Sequence, residues 1–272
     1  MTLATKVKKA NVEYHAKMAG AYDKTQPYFT QDNITRVEKI ISEIGERTGG
    51  KGTALDIGCG TGFVMRIAER HFSKVYGVDI TKEMLDQIPA SKKLFPVLAD
   101  SENLPFGDNT FDACFSYSFL HHLYDLKPTL KEIRRVLKPG GTYFNDQDFN
   151  RAYFALSRDK AVKNNPKISA EFRTLDAVEK EVAAKYGLDP KTVRLAEFQE
   201  MKKGGFTAKE LEKQLKASGF RKIDVRHRWF VGQARVQNEC GMKAAEEINA
   251  YLLNLMPLTS GFFKYLSFKA VK

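Results

Sequence analysis

The sequence predicts an α/β protein: a doubly wound, mainly parallel seven-stranded sheet with a C-terminal antiparallel hairpin and an inserted helical cap. Three observations predict it. Over residues 53–149, short apolar runs alternate with amphipathic stretches, which is the signature of βα units. Residues 151–204 break that rhythm, being polar, rich in helix formers and punctuated by Pro166, Gly187 and Pro190. Two further strand patterns, 220–225 and 262–271, flank a helical stretch at 234–256 and suit an antiparallel hairpin with an enlarged connection.

In chain order, Thr53–Ile57 reads as a buried strand ending at a glycine cluster. A helix is expected over 63–72, with Val64, Ile67, Ala68 and Phe72 at helical spacing. A strand at 74–78 precedes a short helix at 82–88, closed by Pro89. Leu94–Leu98 is a third strand, which Pro96 confines to an edge or a strand start. Phe111–Tyr117 is the fourth. A helix at 126–137 sets Leu130, Ile133, Val136 and Leu137 on one face, and Pro139-Gly140-Gly141 turns it into a fifth strand at 142–145. Thr207 and Glu210 form a capping box that opens a helix running to Ser218-Gly219. The expected organisation is an N-terminal helical lid at 1–30, a core built from 31–150 and 205–272, and a cap at 151–204 on the acceptor side of the site.

At 43% hydrophobic and 28% charged residues, the 272-residue chain has the composition of a globular protein able to bury a sizeable core. Its apolar runs fall far short of the ~20 residues of a spanning helix, and the first residues lack the apolar core of a secretory signal. Cys59, Cys114 and Cys240 are odd in number and widely spaced, so neither a disulfide framework nor a metal cluster is read from them. A cytoplasmic protein with reduced thiols and no metal ligands is expected. The net charge of +11 is unevenly spread: 12 basic and 13 acidic residues over 51–150, against 24 and 14 over 151–272. A basic surface there is compatible with an anionic substrate, a nucleic acid, a membrane face or no specific partner.

The chemistry concentrates at Gly58-Cys59-Gly60-Thr61-Gly62, between a strand ending near Asp56 and a helix. Glycines allow a tight turn and close backbone approach, and the helix N-terminus offers free N–H donors to an anionic group. A dinucleotide-binding loop uses similar glycines and an acid about 20 residues on, a place that Asp79 fills. That fingerprint wants Gly or Ala where this chain has Phe63, which disfavours a nicotinamide-dependent oxidoreductase.

Here the sequence resembles the class I (Rossmann-like) S-adenosylmethionine-dependent methyltransferases, in particular the broad subgroup that includes ubiquinone- and menaquinone-type enzymes. Residues 55–62 are similar to their first motif. Val78-Asp79 resembles the second-strand acid that holds the cofactor ribose, and Asp100-Ser101 the segment after strand three that meets the adenine edge. Phe111-Asp112 with 116–122 resembles the fourth strand and its following loop, and 137–141 the turn into strand five. These matches cover about 53–148 in order and do not reach the cap. The resemblance implies S-adenosyl-L-methionine as cofactor, S-adenosyl-L-homocysteine as product, and a cofactor site of Asp56, Gly58, Cys59, Gly60, Gly62, Asp79, Ile80, Asp100, Ser101, Tyr117 and Tyr22. Asp79 would accept ribose hydroxyls, or cap the next helix with Thr81, or both. Asp100 would accept from the adenine amino group or form a turn. Asp56 would order the glycine loop or meet the cofactor's amino group. Tyr22-Asp23 and Tyr28-Phe29 stand where members of the family lay an N-terminal helix across the cofactor, and Tyr22 would close that site or simply pack there.

Methyl transfer from a sulfonium is an in-line displacement, for which alignment and exclusion of water matter most. A base is needed only where the acceptor must lose a proton. His121 and His122 stand where an acceptor could approach, as a base or as packing in the loop. Tyr153, Phe154, Phe172, Arg173 and Phe198 of the cap, with Arg226, Arg228 and Trp229, would suit an amphipathic acceptor with an anionic end, although such aromatics are more often core. The expected reaction is methylation of a small molecule on oxygen, carbon or nitrogen, in falling order of preference. The alternatives are an RNA methyltransferase, against which stands the lack of an Asn-Pro-Pro-aromatic motif at Ser116-Tyr117-Ser118, and a non-catalytic cofactor-binding protein.

Overall fold

The computed structural model describes all residues except Pro27, 166–171, 173 and 174, and leaves out the side chains of 175–178. Arg173 and Pro166 therefore lie outside the described residues. Seven strands form one sheet in the order β3-β2-β1-β4-β5-β7-β6. They are β1 Thr53–Ile57, β2 Lys74–Asp79, β3 Leu94–Leu98, β4 Phe111–Tyr117, β5 Leu137–Phe149, β6 Arg221–Phe230 and β7 Phe263–Val271. The first five pair in parallel, while β7 runs antiparallel to both β5 and β6. Pro96 lies on β3, an edge strand, as its missing N–H requires.

The period-2 alternation of the central strands feeds two apolar layers. On β5, Tyr143 faces the layer containing Leu130 and Ile133 of α6 (Leu126–Val136) and Leu211 and Leu215 of a later helix. Its neighbour Phe144 faces the other, with Val37 and Ile41 of α3 (Gln31–Gly45) and Val64 and Ile67 of α4 (Phe63–Ala68). Helix α6 ends one residue before the expected Leu137, which begins β5. Helix α4 stops at Ala68, so Phe72 enters the core from the turn beyond it. The helix after Asp79, α5 (Lys82–Leu85), is likewise shorter than expected.

The N-terminal segment forms α1 (Leu3–Met18) and the single turn α2 (Tyr22–Thr25). The described part of 151–204 is helical: α7 (Arg151–Ser157), α8 (Lys160–Lys163), α9 (Leu175–Tyr186), α10 (Pro190–Ala196) and α11 (Phe198–Lys203). Ala10, Tyr14 and Met18 of α1 pack against Ala183, Val193 and Ala196 of α9 and α10, so the N-terminal helix and the inserted helices share one apolar cluster. Helix α12 (Ala208–Ala217) opens with the capping box read from the sequence, both reciprocal hydrogen bonds being present. The stretch expected as one helix at 234–256 divides at Gly241 into α13 (Gln233–Cys240) and α14 (Met242–Asn254). Strand β6 extends five residues past its expected end at Val225. Among the described residues, no helix is long and apolar enough to cross a membrane.

Candidate functional site

At the carboxyl ends of the parallel strands, the loop after β1 meets those after β2, β3 and β4 around a cavity of about 920 Å³ that is partly open to solvent. This is the crevice where open α/β sheets bind ligands, and its size suits a nucleoside-sized molecule. Asp79 crosses the loop ends: its Oδ2 accepts from the Gly60 N–H at 3.0 Å and its Oδ1 from Thr81 N–H at 2.8 Å. Each oxygen keeps a lone pair for a ligand hydroxyl. Asp56 is buried beneath the loop, and its Oδ1 has no hydrogen-bond partner. Burial, and then the charge of Asp79, push its carboxyl well above the usual range.

Of the residues expected to hold the cofactor, Asp56, Gly58, Cys59, Gly60, Asp79, Ile80, Asp100, Ser101, Tyr117 and Tyr22 all line this cavity. Gly62 does not. It caps α4 at φ 85°, with Ile88 over the position a side chain would take, so the third glycine serves the turn. Ser101 and Thr129 share a hydrogen bond at 2.9 Å, and Tyr117 accepts from Asn33 at 2.8 Å, so both are held by neighbours.

Residues that sequence reasoning passed over close the cavity from α1. Lys8 Nζ reaches both Asp100 and Glu102 at 2.6 Å. Burial works against the ammonium, but the bonds to Asp100 and Glu102 outweigh it and raise its pKa. Asp100 Oδ1 accepts from Glu102 N–H, so the turn-forming role is realised and Lys8 occupies the other oxygen. Asn11 Nδ2 donates to the His122 carbonyl at 3.1 Å. Asp23 binds Arg66 at 2.8 Å and accepts from Thr61, tying α2 to the glycine loop.

A second cavity, of about 1110 Å³, lies between this site and the inserted helices. Tyr22, Tyr28, His15, Ser118 and His122 line both cavities and form the wall between them. The second is rich in aromatic groups, with Tyr14, Phe149, Tyr153 and Phe154, and contains the ammonium of Lys264, 5.0 Å from the Tyr265 ring centroid.

His121 lines only the second cavity. Its Nδ1 is 2.8 Å from Asp148 Oδ1, and its Nε2 3.3 Å from Glu197 Oε2. Burial disfavours its charge, but the bond to Asp148 and the charge of Glu197 raise its pKa to about 9. His122 moves the other way: burial, and then the neighbouring His121 and His15, push it well below the ordinary value. Their surroundings therefore push the two adjacent histidines in opposite directions.

The other expected acceptor-side groups separate. Tyr153 and Phe154 reach the second cavity, and Phe172 stacks on Tyr153 with ring centroids 4.9 Å apart. Phe198 packs on Tyr124 instead. Arg226 and Arg228 line a different hollow beside α3, Arg226 paired with Asp224 and Arg228 donating to Ser267, while Trp229 is exposed. The cation that sequence reasoning sought for this cavity is Lys264, hidden in the alternation of β7.

Residues 55–145 match a family model described as a methyltransferase domain. The demethylmenaquinone methyltransferase of Staphylococcus saprophyticus is 34% identical over 145 residues, 50% of this chain and 61% of that protein. The mitochondrial arginine-hydroxylase NDUFAF5 of Rattus norvegicus is 39% identical over 92 residues, 33% of this chain and 27% of that one. The chain thus spans less than two thirds of either relative. An S-adenosylmethionine-dependent methyltransferase structure from Mesorhizobium loti superposes with a TM-score of 0.56, covering 88% of this chain and 96% of that one at 21% identity, a likeness of fold. With the motifs in order along the chain and the sheet in the matching topology, the chain carries a class I, S-adenosylmethionine-dependent methyltransferase domain.

Proposed function

We propose that this protein transfers a methyl group from S-adenosylmethionine to a small-molecule acceptor held in the second cavity. The observation that carries the reading is the shared wall: one cavity bears the glycine loop, Asp79 and Asp56, and the other lies directly against it across Tyr22, His15 and His122. The first cavity fits the cofactor by its chemistry. Asp56 Oδ1, buried and unpartnered, awaits a cationic or hydrogen-bonding group such as an ammonium, and Asp79 can receive vicinal hydroxyls.

The bound cofactor supplies an electrophilic methyl group on a sulfonium. The chain's own residues supply binding, alignment and dryness. Helix α1 covers the cofactor side through Lys8 and Asn11, acting as a lid, and the inserted helices cover the acceptor side as a cap. Aromatic walls and the Lys264 ammonium favour a flat, apolar acceptor carrying an oxygen or an anionic group. The quinone-directed relative supports that class, whereas the hydroxylase relative has the same domain under a different activity.

S-adenosylmethionine should raise the melting temperature, and NAD should not. At a hundredfold excess over its dissociation constant the cofactor stabilises by about 2.7 kcal/mol. No stabilisation by S-adenosylmethionine would reject the reading. A labelled-methyl assay over phenolic, quinol and amine acceptors then identifies the class. Lys8→Met should leave the unfolding free energy of the free protein within about 1 kcal/mol of the parent, because a partly exposed ion pair contributes little. The same change should speed cofactor release severalfold in stopped-flow experiments; an unchanged release rate would remove Lys8 from the lid.

A further inference from the structure

We propose that His121, His122 and Glu197 form a binding site for a divalent transition-metal ion, joining the inserted helices to the loop after β4. Each offers one ligand atom, and the three atoms lie within 4.8 Å of one another. His121 Nε2 and Glu197 Oε2 are 3.3 Å apart. That is about the separation of two donors on one tetrahedral ion with bonds of ~2.0 Å. Glu197 Oε2 is buried with no aligned hydrogen bond, and its ion-pair contacts are the two imidazoles themselves, His121 Nε2 at 3.3 Å and His122 Nδ1 at 3.8 Å, so an ion that displaces the shared proton takes over its charge balance.

The surroundings orient the donors. Asp148 Oδ1 accepts from the backbone N–H of His121 at 3.0 Å and lies 2.8 Å from its Nδ1, which fixes the ring and leaves Nε2 as the ligand atom. A carboxylate behind a ligating imidazole is the usual support of such a site. His122 is held by the Ala196 carbonyl at 2.9 Å. Glu197 sits at the joint between α10 and α11, so an ion bound there ties the cap to the core.

Two imidazoles and one carboxylate select zinc, cobalt or iron over calcium or magnesium, which prefer all-oxygen sets. The remaining coordination positions face the second cavity, because His121, His122 and Glu197 all line it. A water or an oxygen of a cavity ligand would complete the shell there.

The test is titration of the metal-stripped full chain with Co²⁺, read by visible absorption and calorimetry, with Zn²⁺ as competitor. One equivalent should bind with d–d bands typical of four or five ligands, and Zn²⁺ should displace it. Glu197→Gln and His122→Ala should each weaken binding at least tenfold, and Asp148→Asn about 10–100-fold through the orientation of His121. Circular dichroism and the S-adenosylmethionine response of each variant report whether it remains folded. Absence of stoichiometric binding in the parent protein would overturn the site, as would binding unaltered in folded Glu197→Gln and His122→Ala.

Discussion

Asp79→Ala is expected to lower S-adenosylmethionine affinity at least a hundredfold, to the limit of calorimetric detection. The carboxylate is the acid at the end of β2 in the cofactor cavity, and both its oxygens already accept backbone N–H bonds from the loops on either side. Hydrogen bonds to an ionised group are each worth about 1.5–3 kcal/mol. Losing two to ligand hydroxyls therefore removes roughly 3–6 kcal/mol, a factor of about 10² to 10⁴. The substitution also frees Gly60 N–H and Thr81 N–H, so the free protein should lose some stability. Asp79→Asn separates the effects. Its amide oxygen accepts from one backbone N–H but its NH₂ opposes the other, so loop order is partly kept while the charge is lost. Affinity within tenfold of the parent in a folded Asp79→Ala protein would remove this residue from the cofactor site.

The residues legible in the sequence share one property: local chain geometry determines where they go. The glycine loop, Asp79 and Asp100 each follow the end of a parallel strand, so βα alternation alone delivers them to one crevice. Lys8, Glu197 and Lys264 were not legible. Lys8 meets Asp100 across 92 residues, and Glu197 meets His121 from the far end of the inserted helices. No periodicity encodes such a meeting, and a sequence pattern without the third ligand gave no reason to expect a metal ion. Gly62 caps α4 and stands outside the cavity lining, and a sequence motif cannot tell a helix-capping glycine from a ligand-contacting one, since both are the same letter. Strand β6 was cut short because Arg226, His227 and Arg228 interrupt its apolar pattern. An edge strand half-exposed to water tolerates such residues, and charges there also guard against unwanted pairing.

Gly58→Ala should destabilise the protein by about 2–5 kcal/mol, from two separable causes. The residue sits at φ 66°, in the left-handed region, which costs a side-chain-bearing residue roughly 1–2 kcal/mol. In addition, a Cβ there would lie 2.1 Å from Cδ2 of Phe119, so the ring must move, at about 1–3 kcal/mol. The ring cannot be displaced without disturbing the cavity, since Phe119 and Gly58 both line it. Gly140 is the internal control: it has φ 79° but nothing within 4 Å of its would-be Cβ, so Gly140→Ala carries the conformational cost alone. Thermal and urea melts should therefore order the variants with Gly58→Ala well below Gly140→Ala. In a Phe119→Ala background the added cost of Gly58→Ala should fall to that of Gly140→Ala, a coupling of about 1–3 kcal/mol between two residues in direct contact. Equal costs for Gly58→Ala in both backgrounds would show that backbone conformation alone requires glycine at the head of the loop, and that Phe119 does not press on it.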